Sequence, residues 1–373
     1  LAVRRKLPHN ITINYPNPKT KIMSNKLIKH TGWIILLLVL TWQACKQPGG
    51  EAQSAPEANA SQSNAVSGQS IQELNAWSDP LRQELLGWVA EVTDSTSPSF
   101  IPVSDRIAVF DNDGTLWPEQ PVPTQLVFGI DRLRQLAAQN PALLKNPVIA
   151  GTLKGDYSAL KKAGVKGLFE IINASHNNQT EAEFNQAVAQ WIDTAQDPRF
   201  KRKYKEVIYQ PMLELIQCLK RHQFTVFIVS GGGADFMRVW SNDVYGIPSH
   251  QVIGSYGDAR YEVKEGKPVI TKTNGDVYVD DKAGKPVAIH RFIGKVPVFC
   301  GGNSDGDLAM MQYTQGSKYK SKIVLLHHTD SVREYAYDLK TLSGHLEQAL
   351  VEAKEKNWIV VDMKKDFKTI FPF

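Results

Sequence analysis

Four short apolar runs, each of four or five residues and each ending in a polar or glycine-rich turn, limit most strongly how this 373-residue chain can fold. They are Ile107–Phe110, Thr225–Val229, Val296–Cys300 and Lys322–Leu326. None alternates apolar with polar positions as a half-exposed strand would, so each needs cover on both faces. Segments of helical periodicity lie between them. Pro211–Leu219 leads into the second run, Leu308, Met310 and Met311 follow the third, and Leu342–Ala353 follows the fourth. Buried strands alternating with helices define an α/β class, a three-layer Rossmann-like parallel sheet with helices on both faces. In such sheets the chemistry collects where the carboxyl ends of the strands meet the loops that follow.

Residues 118–205 interrupt the alternation. Ile130–Leu133, Leu160–Leu168 and Glu181–Ile192 are helix-like there, and no strand pattern is evident. This predicts an inserted helical cap over the active edge of a core formed by residues 71–117 and 206–373. A second excursion, residues 254–285, contains Thr273-Asn274-Gly275-Asp276, a sequence that predicts a hairpin turn.

The first 70 residues read differently. Residues 23–44 have the pattern of a bacterial export signal: Lys26 and Lys29, the apolar run Trp33–Leu40, then Ala44. Residues 1–22, ahead of Met23, are expected to be an upstream over-call. Cys45 is placed as a lipid-anchored first mature residue at the periplasmic face of a membrane, an ordinary cleavage near Ala44 being the other reading. Residues 45–70 are too poor in large apolar side chains to bury a core and predict a flexible linker. Seven of the 43 basic residues and no acid lie before Cys45, so the remainder carries 36 basic against 38 acidic residues. The positive net charge therefore belongs to the leader and gives no support to nucleic-acid binding. Cys218 and Cys300 are expected to be buried thiols, with a disulfide between them open.

Three of the runs end in segments that carry chemistry. Asp111-Asn112-Asp113-Gly114-Thr115 places two carboxylates two residues apart, close enough to share a cation; Leu116 stands where a calcium-binding EF-hand loop requires glycine. Ser230-Gly231-Gly232-Gly233, followed by a helix-like stretch from Ala234, offers a hydroxyl and backbone N–H groups to a phosphate. Phe236 excludes the dinucleotide fingerprint there. Gly301-Gly302-Asn303-Ser304-Asp305-Gly306-Asp307 is a second oxygen-rich loop of the kind needed to complete a divalent-cation site.

In these three segments the chain resembles the phosphatases of the haloacid dehalogenase superfamily, and in order and spacing its phosphoserine-phosphatase-like branch. The resemblance covers residues 104–330. It implies a magnesium-dependent phosphate monoester hydrolase acting on a small phosphorylated substrate, with Asp111 as nucleophile, Asp113 as acid and base, and Ser230 on the phosphate. It further implies a lysine, assigned by spacing to Lys285 with Lys282 and Lys295 as competitors. Metal ligands would come from Asp111, Asp113, Asn303 and Asp307, with Asp305 as a substitute, and substrate contacts from Thr115, Gly231, Gly232 and Glu119. The chain departs from the pattern at Asn303, where the family has its first metal-binding aspartate of the last motif. Gln120, Arg238, His327, His328 and Asp330 are weaker site candidates, the two histidines reading more readily as satisfied loop histidines, and Trp117 is expected to pack at the cap hinge. Two alternatives remain: a metal-independent dehalogenase, disfavoured by Asp113, and a non-catalytic lipoprotein that binds a phosphorylated ligand.

Overall fold

A computed structural model describes residues 73–341 and 343–373. The expected leader, Cys45, the linker and Leu342 lie outside the described residues. Eight strands occur among them: β1 (Ile107–Phe110), β2 (Thr225–Gly233), β3 (Val252–Ser255), β4 (Ala259–Lys264), β5 (Lys267–Lys272), β6 (Phe299–Gly302), β7 (Lys322–His327) and β8 (Ile359–Asp362). The helices before β2 are α1 (Asp79–Thr93), α2 (Thr124–Gln139), α3 (Pro147–Leu153), α4 (Ser158–Ala163), α5 (Val165–His176), α6 (Glu181–Thr194) and α7 (Gln210–Arg221). After it come α8 (Ala234–Arg238), α9 (Ser241–Tyr245), α10 (Gly284–Phe292), α11 (Leu308–Gln315), α12 (Gln348–Lys356) and α13 (Met363–Asp366).

Six strands form one sheet in the order β3-β2-β1-β6-β7-β8, and all neighbours are parallel. The α/β class expected from the buried runs is therefore the observed one. Alternation along β1 splits the core. Ala108 and Phe110 join a cluster with Trp88, Met212 and Phe299, while Ile107 and Val109 join Ile289, Met310 and Leu325 on the other face. Cys218 belongs to the first cluster and Cys300 to the second, and both are free thiols. With the sheet between them a disulfide is excluded.

Several expectations need correction. The sheet contains two strands beyond the four expected, β3 and β8, both at its edges. β2 continues to Gly233, so Ser230–Gly233 is strand, with a register irregularity against β3, rather than a loop. The third run pairs from Phe299 rather than Val296, because Pro297 has no N–H to donate to a ladder. The β4–β5 hairpin turns at Glu265-Gly266, whose φ angles of 51° and 76° are those a two-residue primed turn requires. Thr273–Asp276 lies after the hairpin. The helix expected from Leu342 starts at Gln348.

The insertion is helical, as expected, but it is not one packing unit. Helices α2 to α5 enclose a cluster of their own that includes Leu126, Leu133, Ile149 and Ile171. Helix α6, opened by a capping box between Thr180 and Glu183, instead sends Phe184, Val188 and Ile192 into the main core.

Candidate active site

The strand order reverses between β1 and β6, with β2 and β3 to one side and β7 and β8 to the other. Loops leaving the carboxyl ends of β1 and β6 consequently diverge and leave a crevice. Asp111 is the first residue after β1 and Asn303 the first after β6, so the topology sets these two segments side by side. Ser230 faces the same crevice from β2.

Lys285, in the first turn of α10, reaches into it. Its Nζ donates to Asp111 Oδ1 at 2.6 Å, to Asp307 Oδ1 at 2.6 Å and to the Val229 carbonyl at 2.8 Å, and only 2% of the residue is exposed. Burial alone would lower its pKa; Asp111 and Asp307 outweigh that and raise it, so the ammonium is permanent. The competing lysines are elsewhere. Lys295 pairs with Asp105, and Lys282, though at the cavity rim, is exposed.

Burial raises the pKa of Asp111, with Lys285 opposing and Asp307 adding to the rise. Asp113 accepts a 2.7 Å bond from Trp117 Nε1, and burial lifts its pKa above the usual carboxylate range. Trp117 is thus more than the expected hinge packing: it orients one of the two motif carboxylates, and it also packs on Trp240 with ring centroids 4.5 Å apart. Thr115, expected at the substrate, is fully buried behind Asp111. Its Oγ1 lies 3.0 Å from Asn303 Oδ1 and 3.5 Å from Asp111 Oδ2, so it links the two segments and does not face the cavity.

The loop after β6 divides its acids between two tasks. Asp307 Oδ2 accepts from the N–H groups of Asn303 and Ser304, at 2.9 and 3.1 Å, while Oδ1 holds Lys285. Asp305, weighed as a substitute metal ligand, instead accepts from the N–H groups of Glu347 and Ala349 at the start of α12. Its carboxylate is a helix cap.

Residues 108–312 match the haloacid dehalogenase-like hydrolase family. The chain belongs to this family. Among solved structures, a conserved functionally unknown protein from Anaerococcus prevotii DSM 20548 shares the fold, with a TM-score of 0.51 and 13% identity over 79% of this chain and 96% of that one. A phosphoserine phosphohydrolase-like protein from Francisella tularensis subsp. tularensis SCHU S4 is a looser likeness, with 17% identity, coverage of 67% and 99%, and a TM-score of 0.33. A probable phosphoserine phosphatase from Vibrio cholerae gives 15%, 69% of each chain, and 0.34. Neither of these two enters the argument. No curated protein matches the chain.

The crevice of this hydrolase opens into a cavity of about 780 Å³ that the sheet edge shares with the insertion. Its far wall is apolar, with Leu168, Phe169 and Ile172 from α5 opposite Phe236. The insertion is hydrogen-bonded to the phosphate-cradle strand by residues the sequence does not single out. Gln125 Oε1 accepts from the Gly233 N–H at 2.6 Å, and its Nε2 lies 3.1 Å from His176 Nε2. His176 Nδ1 lies 2.7 Å from Ser175 Oγ, and that hydroxyl reaches the Ile171 carbonyl at 2.8 Å. The chain of bonds is consistent only if His176 is neutral with its proton on Nδ1; burial, then Lys272, pushes its pKa down to about 3, in agreement.

A second buried set lies behind Gly114. His328 Nε2 is 2.7 Å from the Gly114 carbonyl and Nδ1 is 3.1 Å from Glu334, which also accepts from Tyr209. With an acceptor on each nitrogen the ring is an imidazolium. Burial lowers its pKa, but Glu334 outweighs this and raises it. His328 therefore supports the Gly114 turn from behind, as a satisfied loop histidine does. The other weak candidates turn away: Arg238 bonds Asp235 and the Val252 carbonyl, Asp330 pairs with Arg333, Gln120 donates to the Ser343 carbonyl, and His327 is only half-buried. Glu119, an expected substrate contact, lines the cavity and is held there by two donors. Its Oε1 is taken by Asn303 Nδ2 at 2.7 Å and the Tyr337 hydroxyl at 2.8 Å, and burial pushes its pKa up to about 7.

The donor chemistry suits a hard divalent cation, as members of this family typically use. Asp111 and Asp307 share the Lys285 ammonium, and the Asp113 and Glu119 carboxyl groups line the same cavity, so hard oxygen donors collect there. Asp111 Oδ2 and Asn303 Oδ1 converge on one buried hydroxyl, that of Thr115, which ties the segments after β1 and β6 together.

Proposed function

We propose that this hydrolase cleaves monoesters of phosphoric acid carried by small metabolites, by way of an aspartyl-phosphate on Asp111, with magnesium as its cation. The observation that carries the reading is the contact of Lys285 with both Asp111 and Asp307 at the mouth of one cavity, since a carboxylate nucleophile cannot approach a phosphate dianion without fixed positive charge beside it. Magnesium, held by Asp111, the Asp113 carbonyl, Asn303 and Asp307, would supply the remaining charge and a fixed position for the phosphate.

An Asp111 carboxylate oxygen attacks phosphorus in line, and the bond from phosphorus to the ester oxygen breaks. Asp113, whose pKa burial raises, gives a proton to the departing alkoxide. It then takes a proton from the water that opens the acyl phosphate, releasing phosphate and restoring Asp111. The Ser230 hydroxyl, with the Gly232 N–H bonded to it at 3.1 Å, and the Gly231 backbone would face the phosphate oxygens. The Gly233 N–H is already held by Gln125. The ester's organic part occupies the apolar half of the cavity, beneath residues 118–205 acting as the cap on a core of 71–117 and 206–373. Residues 23–45 support export and attachment to a membrane through a lipid on Cys45.

Turnover of p-nitrophenyl phosphate with magnesium tests the chemistry. Asp111→Asn is expected to abolish it, and a variant with wild-type turnover would remove Asp111 as nucleophile. Incorporation of labelled fatty acid, lost in Cys45→Ser, tests the anchor.

A further inference from the structure

The family's last motif begins with a metal-binding aspartate, and this chain has Asn303 there. An amide in that place binds a cation with one negative charge fewer, and its orientation is ambiguous, since either the oxygen or the nitrogen could face the metal. The structure removes the ambiguity. Asn303 is buried, with 1% exposed, and its Nδ2 donates to Glu119 Oε1 at 2.7 Å. A flipped amide would set oxygen against that carboxylate. The correct rotamer directs Oδ1 to Thr115 Oγ1, at 3.0 Å and on the Asp111 side.

Glu119 is itself fixed. It is buried, with 3% exposed, and the Tyr337 hydroxyl donates to the same oxygen. Two glycines make the space. Gly114 (φ +78°) and Gly344 (φ +77°) both adopt left-handed backbone. A Cβ on Gly114 would stand 2.1 Å from Asn303 Nδ2 and 2.3 Å from Glu119 Oε1, and one on Gly344 would stand 2.2 Å from Glu119 Oε1. No side chain longer than hydrogen fits at either position while the pair is in contact.

We propose that Glu119 supplies the negative charge that Asn303 lacks, and that the two residues act as one composite ligand, an amide oxygen aimed and polarised by the carboxylate behind its nitrogen. Accepting a hydrogen bond from Nδ2 draws electron density toward Oδ1 and makes it a better donor to a cation. Glu119 is thus a positioning residue, acting on the cation through Asn303. The inference rests on the reading of the site as a divalent-cation site.

A charge exchange tests it at pH 8.5, above the value of about 7 to which burial raises Glu119, read by calorimetric titration with Mg²⁺ alone and by melting of metal-free protein in EDTA. Glu119→Gln is expected to weaken Mg²⁺ binding by about tenfold or more, the usual consequence of removing a group that orients a ligand. Asn303→Asp alone places two carboxylates in contact and is expected to lower the metal-free melting temperature. The double variant restores a single charge with the hydrogen bond reversed, the amide introduced at position 119 donating to the carboxylate introduced at position 303. It is expected to melt near the wild type and to regain its Mg²⁺ affinity. Unchanged affinity in Glu119→Gln, or a double variant whose losses are the sum of the two singles, overturns the composite ligand. A wild type that takes up no Mg²⁺ overturns the magnesium reading itself and is a distinct result.

Discussion

Lys285→Met removes an ammonium while keeping most of the side chain's volume. In the wild type that ammonium has three partners within 2.8 Å, two of them carboxylates, and almost no contact with solvent. Breaking a buried ion pair from one side typically costs about 3–5 kcal/mol, because the remaining charge is left without a partner. A domain of this size loses roughly 2 °C for each kcal/mol, so the variant should melt about 6–10 °C lower in EDTA at pH 8. The pH dependence has a definite sign. Asp111 already has a folded-state pKa above its unfolded one, and Lys285 is the group that restrains the rise. Without it the folded value climbs further. A raised carboxylate pKa leaves stability intact at low pH and removes it as pH rises through the folded value. The deficit should therefore be largest at pH 8 and shrink toward pH 5. Thermal melts of both proteins at the two pH values, followed by circular dichroism, measure it. A deficit of equal size at both pH values would refute the electrostatic argument and leave only a packing defect.

Asp113→Asn should lower turnover by about 10²–10⁴, the usual range for a general acid, and lower it more for an alkyl phosphate than for p-nitrophenyl phosphate, whose leaving group needs no proton. An equal loss on both substrates would remove Asp113 as the acid. Asp280 is fully buried with both carboxylate oxygens lacking hydrogen-bond partners among the described residues, and burial pushes its pKa up to about 7. Its folded pKa exceeds the unfolded one, so it costs stability progressively as pH rises from the unfolded carboxylate range to about 7, and Asp280→Asn should gain about 1–3 kcal/mol in urea titrations at pH 8.5 and clearly less at pH 5.5. A gain at pH 5.5 of the same size would show that charge is not the cause. Gly114→Ala adds a Cβ where φ is +78° and Asn303 is 2.1 Å away, and should destabilise the metal-free protein by more than about 1 kcal/mol; an unchanged urea midpoint would show that the loop shifts freely.

The interior of the fold is legible in the sequence, its edges much less so. β1 and β7 are buried on both faces, and that burial leaves an uninterrupted apolar run, which is why Ile107–Phe110 and Lys322 onward stand out as strands. Val252–Ser255 and Ile359–Asp362 are four-residue edge strands, and a single pairing neighbour is what makes them strands. Nothing local distinguishes them from loop. The hairpin departs from expectation for a related reason. Asn274-Gly275 has the residue types of a tight turn, but pairing of Lys264 with Lys267 fixes the turn at Glu265-Gly266. In the site, motif spacing brings forward Asp111, Asp113, Ser230, Lys285 and Asp307, which line one crevice, and Asn303, whose N–H is bonded to Asp307. Gln125, His176 and Tyr337 carry no motif. They join the site only because α2, α5 and the segment after β7 fold back onto it, a juxtaposition that one-dimensional spacing does not encode. Glu119 is visible in the sequence, but its neighbour is not: 184 residues separate it from Asn303.

On the proposed function, the bond between Gln125 and the Gly233 N–H would tie the timing of the cap to the timing of the phosphate. Helix α2 cannot lift from the core without surrendering that bond, and the donor it surrenders is on the strand proposed to hold the anion. Departure of the product and opening of the exit would thus draw on neighbouring backbone groups of one strand. In a catalyst built this way the slow event of a cycle can be the unlatching of a door rather than the cleavage of an ester, and a substitution at position 125 would then alter how long phosphate lingers without touching the atoms that react.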